Sequence, residues 1–242
     1  MIIVIGGATA TGKSKLAIEL AKSINAEIVN GDAFQIYKEM DIGTAKTSDE
    51  EFSNIPHHLF SFVEPSRQYS VADYQKDARS VIDDIISRNK NVVVVGGTGL
   101  YIRAALMDYN FLNSANEVDM SIYENMDNVR LHQVLETYDM QESKKIHMNN
   151  RKRVMRAIEI YLTQGKKKSE TIDEQNHTFI YDDVKIYAID VDREILYEKI
   201  NHRVDKMFEL GLVNEVNYLV NKYGKDNRAF TAIGYKELIE NS

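Results

Sequence analysis

One run near the start of the chain constrains its fold more than any other. Ile2-Ile3-Val4-Ile5 is a β-branched stretch. Gly7-Ala8-Thr9-Ala10-Thr11-Gly12-Lys13-Ser14 follows it and fits the pattern G-x-x-x-x-G-K-[ST]. Leu16, Ala17, Leu20, Ala21 and Ile24 then recur at helical spacing. A strand feeding a glycine-rich turn and then a helix is the context in which this pattern works. The backbone N–H groups of such a loop point at phosphate oxygens, and the helix start adds a favourable dipole field. Lys13 then reaches a terminal phosphate, and Ser14 offers its hydroxyl to Mg²⁺. The run predicts a cradle for phosphate or pyrophosphate but leaves its owner open, ATP included.

The rest of the chain extends this start. Glu27–Asn30 reads as a second strand, broken by Gly31. Ser70 can cap a helix in which Ala78, Val81, Ile82 and Ile85 recur at helical spacing. Asn91–Val95 reads as a buried parallel strand, ended by Gly96-Gly97-Thr98-Gly99, and Leu100–Met107 as a helix. This β-α-β-α-β order implies a parallel sheet with helices on its faces. From Tyr109 to about Thr178 no buried strand is evident, and Val129–Tyr138 and Arg151–Leu162 read as helices. Val184–Val191 returns to the sheet. Arg193–Leu210 and Val213–Tyr223 are helical, with a break at Gly211. The expected fold class is α/β, a P-loop NTPase-like parallel sheet flanked by helices. Residues 1–111 and 180–242 form this core, and a helical insertion occupies residues 112–179.

Ligands of such sheets sit beyond the carboxyl ends of the strands. Asp32 and Thr98 follow two of those ends. Asp32 there can ligate a metal through water or accept a proton from a nucleophile. It can equally be a turn aspartate that bonds its own backbone. Thr98 can contact a substrate or cap the helix that follows it.

Composition narrows the chemistry. The chain has no cysteine, which excludes disulfides, thiolate catalysis and cysteine zinc sites. No apolar run approaches the ~18 residues of a membrane span, and the first residues lack the basic region of a signal peptide. A cytoplasmic protein without a membrane partner is therefore expected. The net charge of -7 argues weakly against a polyanionic partner. Residues 149–168 run against that trend. Arg151, Lys152, Arg153, Arg156, Lys166, Lys167 and Lys168 face a single acid, Glu159. Charge alone leaves a solvated helix face and a nucleic-acid contact equally open.

Several blocks together resemble one family. They are Gly7–Ser14, Asp32-Ala33-Phe34-Gln35-Ile36-Tyr37, Met40-Asp-Ile-Gly-Thr-Ala-Lys46, Ile55-Pro-His-His-Leu59, Tyr69–Tyr74, Gly96-Gly-Thr-Gly-Leu-Tyr101, Asn149–Arg153 with Arg156-Ala-Ile-Glu159, and Ala232-Ile-Gly-Tyr-Lys-Glu237. In this order, over nearly the whole chain, they resemble the tRNA dimethylallyltransferases, or tRNA isopentenyltransferases. The resemblance implies transfer of a dimethylallyl group from dimethylallyl diphosphate to N6 of adenine 37, beside the tRNA anticodon.

The P-loop, Gly7 to Ser14, would then hold the prenyl diphosphate rather than ATP, with Mg²⁺ at Ser14 and Arg203 nearby. Asp32 matches the family's general base, Gln35 the residue that reads the target base, and Thr98 a tRNA contact. Ala33 and Phe34 lie in the same tRNA-facing block. Lys152, Arg153 and Arg156 in the insertion would grip the anticodon stem-loop, and Arg153 and Arg156 are spaced to share a helix face. His57 and His58 are expected to be structural. Family members usually carry an arginine soon after the Gly-Leu-Tyr helix and a basic segment after the Ala232–Glu237 block. Residues 108–128 contain no arginine, and the chain given stops at Ser242. A monomer is expected. Two other activities fit the P-loop: a kinase for a small molecule or nucleotide, using ATP, and an adenylate (AMP) isopentenyltransferase.

Overall fold

A computed structural model describes residues 1–47, 55–109, 111, 118–165, 167–173 and 178–240. The chain forms two compact units, Met1–Met107 with Phe179–Ser242, and Asp108–Thr178.

The first unit is built on a five-stranded, wholly parallel sheet. Its strands are β1 (Ile2–Gly7), β2 (Ala26–Asn30), β3 (His57–His58), β4 (Asn91–Val95) and β5 (Val184–Ile189), in the order β3-β2-β4-β1-β5. Helices α1 (Lys13–Ile24), α2 (Val71–Ser87) and α3 (Gly99–Leu106) join its first strands. The β-branched runs explain the centre of the sheet. Ile2 to Ile5 pair with Val92 to Val95 in register, and side chains alternate between two cores. Ile2, Val4, Val92 and Val94 face one core with Ala78, Ile82 and Ile85 of α2. Ile3, Ile5, Val93 and Val95 face the other with Ala17, Ile18 and Ala21 of α1. Ser70 caps α2 in a reciprocal box with Asp73.

Strand β3 is not evident from sequence, because two residues cannot show a period of two. It extends the sheet beside β2, where buried Glu27 receives both guanidinium nitrogens of Arg88, Lys90 Nζ at 2.8 Å and His58 Nε2 at 2.8 Å. His58 is thus a structural partner of Glu27. The returning strand β5 lies at the sheet edge and is largely exposed. Helices α9 (Arg193–Glu209) and α10 (Leu212–Tyr223) follow it, then a 3₁₀ turn (Arg228–Thr231) and α11 (Tyr235–Glu240). (Helices α4 to α8 belong to the second unit.)

The chain leaves this core at Met107 and returns at Phe179, residues that form an isolated antiparallel bridge. Arg79 closes the exit by donating to the carbonyls of Ala104 at 3.1 Å and Met107 at 2.5 Å. Residue 112, where the sequence places the start of the insertion, lies outside the described residues.

The second unit contains α4 (Ser121–Glu124), α5 (Asn128–Tyr138), α6 (Met140–Lys145), α7 (Arg151–Gln164) and α8 (Lys168–Asp173). Asp127, Asp139 and Asn150 cap α5, α6 and α7. Leu131, Leu135, Ile146, Val154, Ala157 and Ile158 form its core. Three of its helices, α4, α6 and α8, are too short to reveal a helical period in sequence.

Candidate active site at the carboxyl rim of the sheet

Because the strands are parallel, the carboxyl ends of β1, β2 and β4 meet on one rim. At the first, the phosphate loop turns through left-handed backbone at Ala10 and Gly12 before entering α1. Among the described residues, the N–H groups of residues 8–12 find no acceptor. Thr11 Oγ1 donates to the Ala8 carbonyl at 2.9 Å, and Lys13 Nζ donates to the same oxygen. Lys13 therefore lies over its own loop. Burial lowers the pKa of Lys13 below the usual lysine value. The Asp32 carboxylate partly offsets this, and Arg203 adds to the depression. Arg203 is likewise lowered by burial and raised by Asp32. Lys13, Arg203 and Asp32, from three separate parts of the sequence, thus share one electrostatic environment.

Asp32 follows β2 and is held by Asn30. The Asn30 side chain accepts the Asp32 N–H at 2.9 Å and donates to the carbonyls of Asp32 at 3.1 Å and Leu59 at 2.9 Å. Tyr74, stacked on Tyr101, donates to the Asn30 carbonyl at 2.7 Å. Among the described residues, the Asp32 carboxylate is engaged on one side only. Oδ1 accepts the Phe34 N–H at 2.9 Å, making the local turn. Oδ2 has no hydrogen-bond partner among the described residues. A Cβ on Gly97 would stand 4.0 Å from Oδ2 and 3.6 Å from the Gly7 carbonyl, so both oxygens border the same space beside Gly97.

The β2 and β4 ends approach so closely that a Cβ on Gly96 would come within 2.2 Å of the Gly31 backbone. Only glycine fits there. Thr98 stands at the cap position of α3, but its side chain does not cap the helix. Its Oγ1 instead accepts the Ala33 N–H at 3.1 Å, tying the Asp32 segment to the β4 end.

Gln35 and Arg203 converge on one carbonyl that the sequence reading did not single out. Gln35 Nε2 donates to the Thr44 carbonyl at 3.1 Å, and an Arg203 Nη at 3.3 Å. Thr44 lies in a loop held by its own hydrogen bonds, where its hydroxyl donates to the Met40 carbonyl and Lys46 Nζ donates to the Tyr37 carbonyl and Asp41. A cavity of about 910 Å³ adjoins this loop, with Ile42, Phe60 and Met207 beside Arg203 and Lys46.

Ser14 stands in the first turn of α1 with no hydrogen-bond partner for its hydroxyl among the described residues. That donor suits Mg²⁺, which binds few protein oxygens and keeps water or ligand phosphate for the rest.

In the second unit the basic run is divided. The Arg151 guanidinium is used internally, donating to the carbonyls of Met126, Tyr123 and Glu124 and to Asn128 Oδ1. Arg156 pairs with Glu159 at 2.7 Å, Lys167 with Glu170 at 3.2 Å and Lys168 with Glu142 at 2.6 Å. Lys166 lies outside the described residues. Lys152 and Arg153 are exposed on α7 with no ion-pair partner among the described residues, and Arg156 is exposed beside them.

Residues 35–241 match the model of the IPP transferase family. A tRNA dimethylallyltransferase of Bacillus velezensis is 45% identical over 246 residues, covering 99% of this chain and 77% of its own. The structure of a tRNA isopentenylpyrophosphate transferase from Staphylococcus epidermidis is 43% identical, with a TM-score of 0.69 over 99% of this chain and 80% of its own. A eukaryotic dimethylallyltransferase acting on tRNA is 33% identical, with a TM-score of 0.88 over 99% of this chain and 62% of its own.

Proposed function

The chain belongs to the IPP transferase family, and from that membership we propose that it transfers a dimethylallyl group from dimethylallyl diphosphate to a tRNA adenine. The observation that best supports this reading is the Asp32 carboxylate, its Oδ2 without a hydrogen-bond partner among the described residues, within electrostatic reach of two cations, Lys13 and Arg203. Two cations suit a leaving diphosphate, and a carboxylate suits a nucleophile that must lose a proton. The kinase and adenylate readings are not favoured by this membership.

In the proposed reaction, N6 of adenine 37 attacks C1 of the dimethylallyl group. The C–O bond to diphosphate breaks, and its electron pair leaves on the diphosphate oxygen. Lys13, Arg203 and the N–H groups of residues 8–12 stabilise the charge that builds there. Mg²⁺ at Ser14, when bound, would add Lewis-acid stabilisation of the diphosphate. Asp32 Oδ2 accepts the proton lost from N6. An exocyclic adenine amine is a weak nucleophile, so orientation by Asp32 and Gln35 matters as much as proton removal. The target base must leave its stack, which costs a few kcal/mol and less in a loop than in a duplex. Ile42, Phe60 and Met207 beside Arg203 provide apolar surface of a kind the five-carbon chain requires. Thr98 acts here through Ala33, holding the segment that meets the tRNA.

The tRNA anticodon stem-loop would be gripped by Lys152, Arg153 and Arg156. Replacing Arg153 with Ala is expected to weaken tRNA binding and to lower its salt slope by about one. Arg156→Ala should have a smaller effect, because Glu159 already pairs with that guanidinium. Filter binding across a salt series checks both, and an unchanged slope for Arg153→Ala removes its phosphate role. We propose further that the enzyme works in the cytoplasm, as a monomer.

The central test offers the protein labelled dimethylallyl diphosphate and Mg²⁺, with unmodified tRNA and AMP in parallel. Label in tRNA is expected. Label in AMP alone would reassign the substrate, and label in neither would make ATP the next ligand to try.

A further inference from the structure

Two sequence blocks far from the phosphate loop meet in a device that the reaction scheme above does not use. Glu215, on α10, accepts three successive backbone N–H groups: Asp41 at 3.0 Å, Ile42 at 2.8 Å and Gly43 at 3.2 Å. Successive N–H groups arranged this way form an anion-binding nest, here filled by the chain's own carboxylate. Tyr235 donates its hydroxyl to Glu215 Oε1 at 2.5 Å. Its ring lies against Gly43, where a Cβ would come within 2.3 Å of Cε2. Burial and the Glu215 bond push the Tyr235 phenol well above its usual value, so it remains a donor. The loop is therefore clamped from behind, and the residue next to the clamp is Thr44.

The Thr44 carbonyl decides how Gln35 can act. Nε2 carries two protons, and one is given to Thr44. Flipping the amide would set Oε1 against a carbonyl, which repels it. In the retained orientation Oε1 remains an acceptor for an adenine amino proton, one half of the two-bond contact by which a glutamine reads adenine. The same carbonyl takes an Arg203 Nη and leaves the remaining guanidinium donors for the diphosphate. One oxygen thus registers the base reader against the diphosphate cation.

We propose that Glu215 and Tyr235 are positioning residues for prenyl transfer, setting Gln35 and Arg203 in register through the Thr44 carbonyl. This rests on the function proposed above.

The experiment is a mutant cycle on the full chain, with KM for tRNA and for dimethylallyl diphosphate measured separately. Glu215→Gln is expected to raise KM for tRNA by about tenfold, a coupling of the size found within one hydrogen-bond network. In a Gln35→Ala background the same change should raise it by less than about twofold, because its target is already gone. Glu215→Gln should also raise KM for dimethylallyl diphosphate through Arg203, and that rise should persist in the Gln35→Ala background, since Arg203 is untouched. Tyr235→Phe should follow the same pattern more weakly, and it supplies the cycle if thermal melting shows that Glu215→Gln is poorly folded.

A rise in KM for tRNA of equal size with and without Gln35 overturns the proposal, because a general loss of structure behaves that way. Unchanged KM values in both variants overturn it too. If the unaltered chain leaves tRNA unlabelled, the functional reading falls and the inference with it. If it labels tRNA and the losses multiply, only the inference falls.

Discussion

Asp32→Asn is expected to slow prenyl transfer by about a thousandfold, the middle to upper range for loss of a general base, while dimethylallyl diphosphate still binds. Asparagine is the sharper substitution because the Asp32 side chain has two duties. Oδ1 holds the Phe34 N–H, and an amide oxygen can keep that bond. Oδ2 is the oxygen without a partner, and an amide cannot accept a proton there. Asp32→Ala removes both duties, so its loss mixes turn geometry with chemistry. The sign of the binding effect follows from charge. Asp32 interacts favourably with both Lys13 and Arg203, so removing its charge leaves a more positive pocket. The variant should therefore bind dimethylallyl diphosphate at least as tightly as the unaltered chain. Single-turnover labelling of tRNA and equilibrium dialysis of the diphosphate separate the two effects. Turnover close to normal in Asp32→Asn would remove the base assignment. Weakened diphosphate binding with no loss of transfer would point instead to a part in holding the donor.

The parts of this site visible in the sequence are those that local chemistry dictates. A phosphate loop needs its glycines, lysine and hydroxyl in fixed order next to a strand, so residues 7–14 announce themselves. Asp32 and Thr98 follow from strand polarity, because the ends of parallel strands share one rim. Roles set by distant partners have no such signature. Thr44 acts through a backbone carbonyl, which any residue carries, and Glu215 reaches its loop from α10. Thr98 has the sequence position of a helix cap, yet its hydroxyl is taken by Ala33. The cationic run misleads for the same reason. Arg151 has the charge of a phosphate ligand, but four hydrogen bonds within its own unit occupy the guanidinium. Charge can be counted along a chain, whereas the partners that consume it are fixed only by packing.

Glu27 carries the largest expected effect on stability. Its carboxylate, 2% exposed, is covered by Arg88 and Lys90 at the edge of the sheet. The bidentate Arg88 contact, then Lys90 and His58, hold its pKa far below the ordinary 4.5, against an opposing cost of burial. Glu27→Gln leaves those cations facing an amide, and about 3 kcal/mol of stability should be lost at neutral pH, the low end for an ion pair broken from one side. Arg88 and Lys90 are partly exposed and can rehydrate, which is why the low end applies. The pH dependence has a definite sign. A carboxylate with a depressed folded pKa stabilises fully above its unfolded value and loses that contribution as pH falls through the acid range. The gap between the unaltered chain and Glu27→Gln should therefore narrow below about pH 4.5, by at most about 1.4 kcal/mol per pH unit. Urea melts at pH 7 and pH 3 measure it, and a gap that widens in acid would contradict the assignment. Activity offers a second readout, because β2 runs from Glu27 to Asn30, and Asp32 follows two residues later. If the cluster serves only to seat that strand, Glu27→Gln protein that remains folded should transfer the prenyl group at a near-normal rate, and the loss should appear only as the temperature approaches its lowered melting point.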